Sequence, residues 1–314
     1  MRIATNSYTD SMLNQFNALT STQYSLQQQV STGLKIQSAA DDPTAMQNTL
    51  QSLADKAAQV QYSSNIATLQ SRATAIYNVM ESIQKITSRA GEIVTNAGSG
   101  TTSASTMTNY GSEVRQMIQQ AVDLMNSKDP ATGQYLFGGT NSARPPYATT
   151  TDANGNITGV TYQGNSSVNQ VEIAAGSTLS VDVPGENTSG SGPRGLITDS
   201  SSGADLFNHL LSLQNNLNSG NSTAVSTTDS ANIQNDENHQ LYQISNNGAV
   251  QTRLNIAATF ATTRASSLDE NISKNSSADL VQTMVQLSHA QTAYQAALQS
   301  GTKLMQMSIL NYIP

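Results

Sequence analysis

The sequence predicts a mainly α protein: a long coiled-coil helical rod drawn from both termini, with a small inserted β-rich domain. Three observations carry this. Apolar residues repeat at 4-3 spacing near both ends, the pattern of a coiled-coil seam. A long amphipathic pattern runs from Pro43 to Asn96. Between 141 and 204 the chain turns rich in Gly, Pro, Asn, Ser and Thr, with apolar residues alternating along short runs.

The first seam is Met12, Phe16, Leu19, Leu26 and Val30, with Gln23 as its polar member. It stops at Gly33, a residue that tolerates the left-handed conformation of a helix C-cap. Asp42 then suits an N-cap, and Pro43 suits the first helical position, where its missing N–H costs nothing. The helix that follows would be roughly 80 Å long at about 1.5 Å per residue. Its first stripe is Met46, Leu50, Leu53, Ala57 and Val60; a second, in shifted phase, runs from Tyr62 through Ile66, Leu69, Ala73, Ile76, Met80 and Ile83 to Val94. A phase shift of this kind predicts a change of contacting face along one helix. A third helix carries Met107, Gly111, Val114, Ile118, Ala121 and Met125.

Tyr135-Leu136-Phe137-Gly138-Gly139 reads as a strand-like run. Val160/Tyr162, Val171/Ile173 and Leu179/Val181/Val183 alternate as half-buried strands, and Asn154-Gly155 is a hairpin signal. The Gly- and Ser-rich stretch 189–203 reads as a linker leaving this domain. Helices resume at Asp205. A polar interval near 218–230 precedes a helix from about Ala231 to Ile272, with the seam Val250, Leu254, Ala257, Ala261 and Leu268. Ser276 and Asp279 form a capping-box pattern ahead of the last helix. That helix places Leu280, Met284, Leu287, Gln291, Tyr294, Leu298, Gly301 and Met305 at heptad positions. A single amphipathic helix is marginal in water. The two terminal seams are therefore expected to pair with each other and then with neighbouring copies.

Composition narrows the function. Charged residues make up 11% of the 314, against about 25% in a typical domain. A surface so poor in charge suits subunits that pack side by side. The net charge is −7, and the few basic residues are scattered, which gives nucleic acid no electrostatic footprint. No apolar run approaches the ~20 residues of a membrane span, and the N-terminus shows no apolar signal-peptide core. There are no cysteines, so thiolate and disulfide chemistry are excluded.

Nothing in the sequence assembles into a nucleophile–base–acid set, a metal site or a cofactor cradle. His209, His239 and His289 lie on separate segments and read as helix-surface residues. Asp152-Ala153-Asn154-Gly155-Asn156 has its glycine out of place for a calcium loop and no bidentate Glu behind it, so it reads as a hairpin.

Both ends resemble the flagellin superfamily, over about 1–140 and 230–314. The residues that carry the resemblance are Met1-Arg2-Ile3, Ser31-Thr32-Gly33-Leu34-Lys35-Ile36 with Asp41-Asp42-Pro43, Tyr135-Leu136-Phe137-Gly138-Gly139-Thr140, and the tail from Asp279 to Ile313. Pro43 and the Ser308–Ile313 ending resemble the hook–filament junction branch more than the filament subunits. Pro314 is an extra residue against that pattern, and Asn311 stands where an acid is common. The middle of the chain is similar only loosely.

The resemblance implies a structural, non-enzymatic protein without cofactors. Residues 1–40 and 277–314 would form an inner tube of paired coiled coils, 41–140 and 205–276 a helical rod domain around it, and 141–204 a β-rich outer domain. It implies self-assembly into a ring that joins the flagellar hook, through the first hook-associated protein, to the flagellin filament. It further implies type III export as an unfolded chain without a cleaved signal peptide, an export chaperone over the C-terminal seam, and an extracellular place on the bacterial flagellum. The assembly contacts expected on this basis are Met12, Phe16, Leu19, Leu26, Val30, Leu280, Met284, Leu287, Tyr294, Leu298 and Met305, with Gly33, Asp42 and Pro43 as turn and caps. The alternatives are a flagellin-type filament subunit and, from another class, a secreted coiled-coil adhesin.

Overall fold

The structure, a computed structural model, describes residues 3–153 and 155–310. Its elements in order are α1 (Ile3–Thr32), α2 (Pro43–Ala97), α3 (Ala104–Met125), seven short strands, α4 (Leu206–Asn218), a single turn α5 (Ser222–Ala224), α6 (Ser230–Ser276) and α7 (Leu280–Leu310). The mainly α class with a small strand-rich insertion is therefore what the chain adopts. Two compact units divide it: residues 1–59 with 263–314, and residues 60–262.

In the first unit α1 and α7 pack along each other. Gly33 ends α1 with φ +71°, the left-handed cap expected of it. Asp42 caps α2, its carboxylate accepting from Ala45 N at 2.9 Å. The start of α7 differs from expectation. Asp279 is itself the cap, accepting from Val281 N at 3.0 Å and Gln282 N at 3.1 Å. Ser276 instead ends α6, donating back to the Ile272 carbonyl, because the chain needs two further residues to turn before α7 begins.

In the second unit the shifted stripe of α2 is the core. Ile76, Met80, Ile83, Ala90, Ile93 and Val94 are buried against Val114, Ile118, Ala121 and Met125 of α3 and Leu210, Leu213 and Leu217 of α4. Burying such side chains stabilises the fold by roughly 2 kcal/mol each. A second cluster joins Ile66, Leu69 and Ala73 to Leu254 and Ala261 of α6 and to Ile173, Leu179 and Val181 of the insertion.

The strands form three small sheets. β1 (Tyr147–Thr151) pairs antiparallel with β2 (Ile157–Tyr162), and β3 (Val171–Ala174) with β4 (Ser177–Leu179). β5 (Glu186–Asn187), β6 (Thr198–Asp199) and β7 (Ala204–Asp205) make the third. Asp152 closes the first hairpin, accepting from Asn156 N at 2.8 Å; Asn154 lies outside the described residues. Val181 and Val183 follow β4 rather than extending it.

Four expectations need correction here. Tyr135–Gly139 is not a strand. It is a bent segment that drops Leu136 and Phe137 into the core, while Gly139 at φ +65° turns the chain away. Residues 189–203 are not a free linker. Asn187 Nδ2 donates to the carbonyls of Ser191 and Pro193, at 2.8 and 2.7 Å, and the Asp199 carboxylate accepts from Gly195 N at 3.1 Å. His239 is not on the surface: it is buried and donates from Nε2 to the Gly195 carbonyl at 2.7 Å. His209 is half-buried and meets Asp236 at 2.8 Å. Finally, the polar interval 218–230 is mostly helical. Val225–Asp229 forms a π turn that buries Asp229, whose carboxylate accepts from Ser212 Oγ at 2.8 Å and Asn216 Nδ2 at 2.7 Å.

Arg72 ties the insertion to α2. It reaches Asp182 at 2.5 Å and Asp129 at 3.1 Å, with only 12% of its side chain exposed. Removing one partner from so buried an ion triad would leave an uncompensated charge.

Candidate assembly surface

The first unit holds nearly all of the sequence-predicted site residues. Its base is a clamp between two turns. Gly33, Leu34 and Lys35 leave α1 extended and meet the residues between α6 and α7. Lys35 N donates to the Ser276 carbonyl at 2.7 Å, and Ala278 N to the Gly33 carbonyl at 2.9 Å. Leu34 and Ser277 are thereby antiparallel bridge partners, and Ile36 is buried beside them. Asp41 completes the turn, accepting from the backbone N–H groups of Gln37 and Ser38 at 2.9 and 2.8 Å. Those two donors hold its carboxyl below the usual carboxylate value. Pro43 takes the first helical position, as expected.

From this clamp α1 and α7 run antiparallel. Met12, Phe16, Leu19, Gln23, Leu26 and Val30 are all at least half-buried, while their helical neighbours are mostly exposed. Phe16 and Tyr294 meet edge to face, ring centres 5.8 Å apart. Gly301 is buried, and a Cβ there would stand 2.5 Å from Met12 Cε. The α1 seam is thus the one the spacing predicted.

The α7 seam is displaced by one position over part of its length. Thr283, Leu287, Ala290, Tyr294, Ala297 and Gly301 face α1, again at 4-3 spacing. Leu287, Tyr294 and Gly301 belong to the predicted set. Leu280, Met284, Gln291 and Leu298 do not pack inside the pair; Met284 is 54% and Leu298 44% exposed. Met305 has its side chain outside the described residues. Small residues line the buried side, which lets the two helices approach closely around the large α1 side chains. The reading from the largest apolar residues missed Thr283, Ala290 and Ala297 for that reason.

The apolar residues not used inside the pair lie open. Leu280, Val281, Met284, Val285 and Leu298 form an outward face on α7, Val281 being 76% exposed. On α2 the first stripe is also open: Leu50, Leu53 and Val60 are all large, apolar and exposed. The shift of phase near Tyr62 therefore marks where α2 passes from an uncovered apolar stripe to a buried one. Ile256 and Phe260 of α6, in the second unit, are exposed likewise. Open apolar surface on this scale is a mark of interaction sites. Among the described residues no cluster of acidic, His or Cys side chains is placed to hold a metal ion, and no helix is long and apolar enough to cross a membrane.

Comparison with known proteins bears on this arrangement. Residues 3–142 match the family described as the bacterial flagellin N-terminal helical region. No curated protein sequence is similar enough to count as a match. Among solved structures, the chain is similar to a Vibrio parahaemolyticus protein described as a flagellar hook-associated protein, at 20% identity and a TM-score of 0.63, over 76% of this chain and 100% of that one. It is similar to FlgL of Xanthomonas campestris at 17% identity and a TM-score of 0.56, over 69% and 98% of the two chains. It is similar to flagellar hook-associated protein 3 of Legionella pneumophila at 15% identity and a TM-score of 0.56, over 68% and 94%. Residues 3–142 are therefore similar to the bacterial flagellin N-terminal helical region, in a chain whose fold is similar to that of the flagellar hook-associated proteins.

Proposed function

We propose that this chain is the structural junction subunit between the flagellar hook and the filament. The observation that carries the reading is the division of apolar surface in the first unit. One seam is spent on pairing α1 with α7, and a second is left facing outward on α7 and α2, available to neighbours. The subunits assemble into a ring through these faces. One side of the ring docks on the first hook-associated protein, and the other accepts flagellin. Residues 1–40 with 277–314 form the inner layer, the helices of 41–140 and 205–276 the next, and 141–204 the outside. The work is mechanical: no bond is made or broken. The chain passes through the type III export channel unfolded, with a chaperone over the α7 face until assembly, and ends outside the cell.

Immunogold labelling of purified flagella tests this. A single narrow band at the distal end of the hook is expected. Label spread along the filament would replace the reading with that of a filament subunit, which the flagellin description of the matched region favours.

A further inference from the structure

A cavity of about 360 Å³ opens between α3, α4 and the β1–β2 hairpin, remote in kind from the apolar faces described above. Its volume is at the small end of ligand cavities, which run from about 300 to 1,000 Å³. The walls are polar. Gln214 lines it and is 8% exposed as a residue, with its amide open to the cavity. Asn215 and Asn218, both exposed, present two more amides from the same helix. A Cβ at Gly111 would collide with the Asn218 side chain as it is placed here.

Arg115 is the one cation in the lining. It donates from Nη1 to Asn156 Oδ1 at 2.7 Å, and among the described residues no carboxylate pairs with it. The Thr158 hydroxyl donates to the Thr150 carbonyl at 3.2 Å, which leaves its oxygen able to accept. Leu211 supplies an apolar wall.

We propose that this cavity binds one ring of a sugar acid, a hexuronic acid either free or at the end of an acidic polysaccharide. Side-chain amides carry a donor beside an acceptor, as neighbouring ring hydroxyls do. A guanidinium matches a carboxylate in geometry and charge. The apolar wall suits a ring C–H face. A phosphate dianion fits less well, because a single arginine faces it; the Asp152 carboxylate in the same wall is engaged by Asn156 N and Nδ2.

The test is a ligand-observed NMR titration of the full chain with galacturonate, galactose and trigalacturonate. Galacturonate is expected to bind, and galactose at least tenfold more weakly. Arg115→Met and Asn218→Ala should each weaken galacturonate at least fivefold, with thermal unfolding unchanged; Asn218 is the safer variant because it lies outside the core. Trigalacturonate binding more tightly than the monomer identifies a polymer end as the source, and equal binding identifies the free acid. No binding of galacturonate, equal binding of galactose, or two variants that bind as well as the parent chain would overturn the proposal.

Discussion

Phe16 and Tyr294 meet edge to face across the two terminal helices, with ring planes at 82°. Such pairs contribute about 0.5–1.5 kcal/mol beyond the area they bury. The contact fixes the antiparallel register that also seats Met12 against Gly301. A side chain at Gly301 must therefore displace the tip of Met12, and a large one must push the helices apart. Gly301→Leu is expected to abolish incorporation into flagella, and Gly301→Ala to reduce it, in a complementation assay scored by motility. Full incorporation of the leucine variant would mean that α1 and α7 separate in the assembled state.

Leu298 lies on the open side of α7, so it affects neighbours rather than the pair. Leu298→Asp should leave the helical content and melting temperature of the purified chain within experimental error, since surface substitutions usually change stability by less than about 0.5 kcal/mol. Assembly should be lost. Normal filaments from this variant would show that the outward α7 face contacts nothing.

The clamp between the two turns rests on backbone groups and is open to proline substitution. Lys35→Pro removes the N–H that donates to the Ser276 carbonyl and leaves that carbonyl unpaired, at a cost of about 1–3 kcal/mol. Amide exchange at Ala278, on the other strand of the bridge, should quicken. Unchanged protection at Ala278 would show that the bridge contributes no stability.

The contact of α4 with α6 carries a pH dependence. Burial lowers the affinity of His209 for its proton. The hydrogen bond and charge of Asp236, with the charges of Asp205 and Asp229, outweigh that and raise it above the ordinary histidine value of 6.5. A raised imidazole adds stability that is complete below about pH 6.5 and is lost as pH rises through the folded value. The melting temperature should fall as pH rises above about 6.5. His209→Gln should flatten that part of the curve; an unaltered slope would contradict the assignment.

The elements legible in the sequence were those set by repetition. The α1 seam, the α2 phase shift, the Gly33 and Asp42 caps and the hairpin at Asp152 all follow from local spacing and turn chemistry. What was not legible depends on contacts between distant segments. Leu136 and Phe137 read as a strand because they are apolar beside glycines, yet their backbone bonds go to different segments: Leu136 N donates to the Ser127 carbonyl and the Phe137 carbonyl accepts from Gly185 N, so no continuous ladder forms. His239 read as exposed because nothing local shows that the loop at Gly195 will cover it. The α7 seam was misplaced at Met284 and Leu298 because a large apolar residue looks like a core residue. In a close helix pair, Thr283, Ala290 and Ala297 fit inside, and the larger side chains face outward.

The central claim concerns number. A junction ring holds a fixed set of subunits, whereas a filament grows by adding them. Quantitative mass spectrometry on flagella of several lengths, measuring copies of this chain against flagellin, tests it most directly. A small copy number per flagellum that stays constant as the filament lengthens is the predicted result. A copy number that rises in proportion to filament length would contradict it.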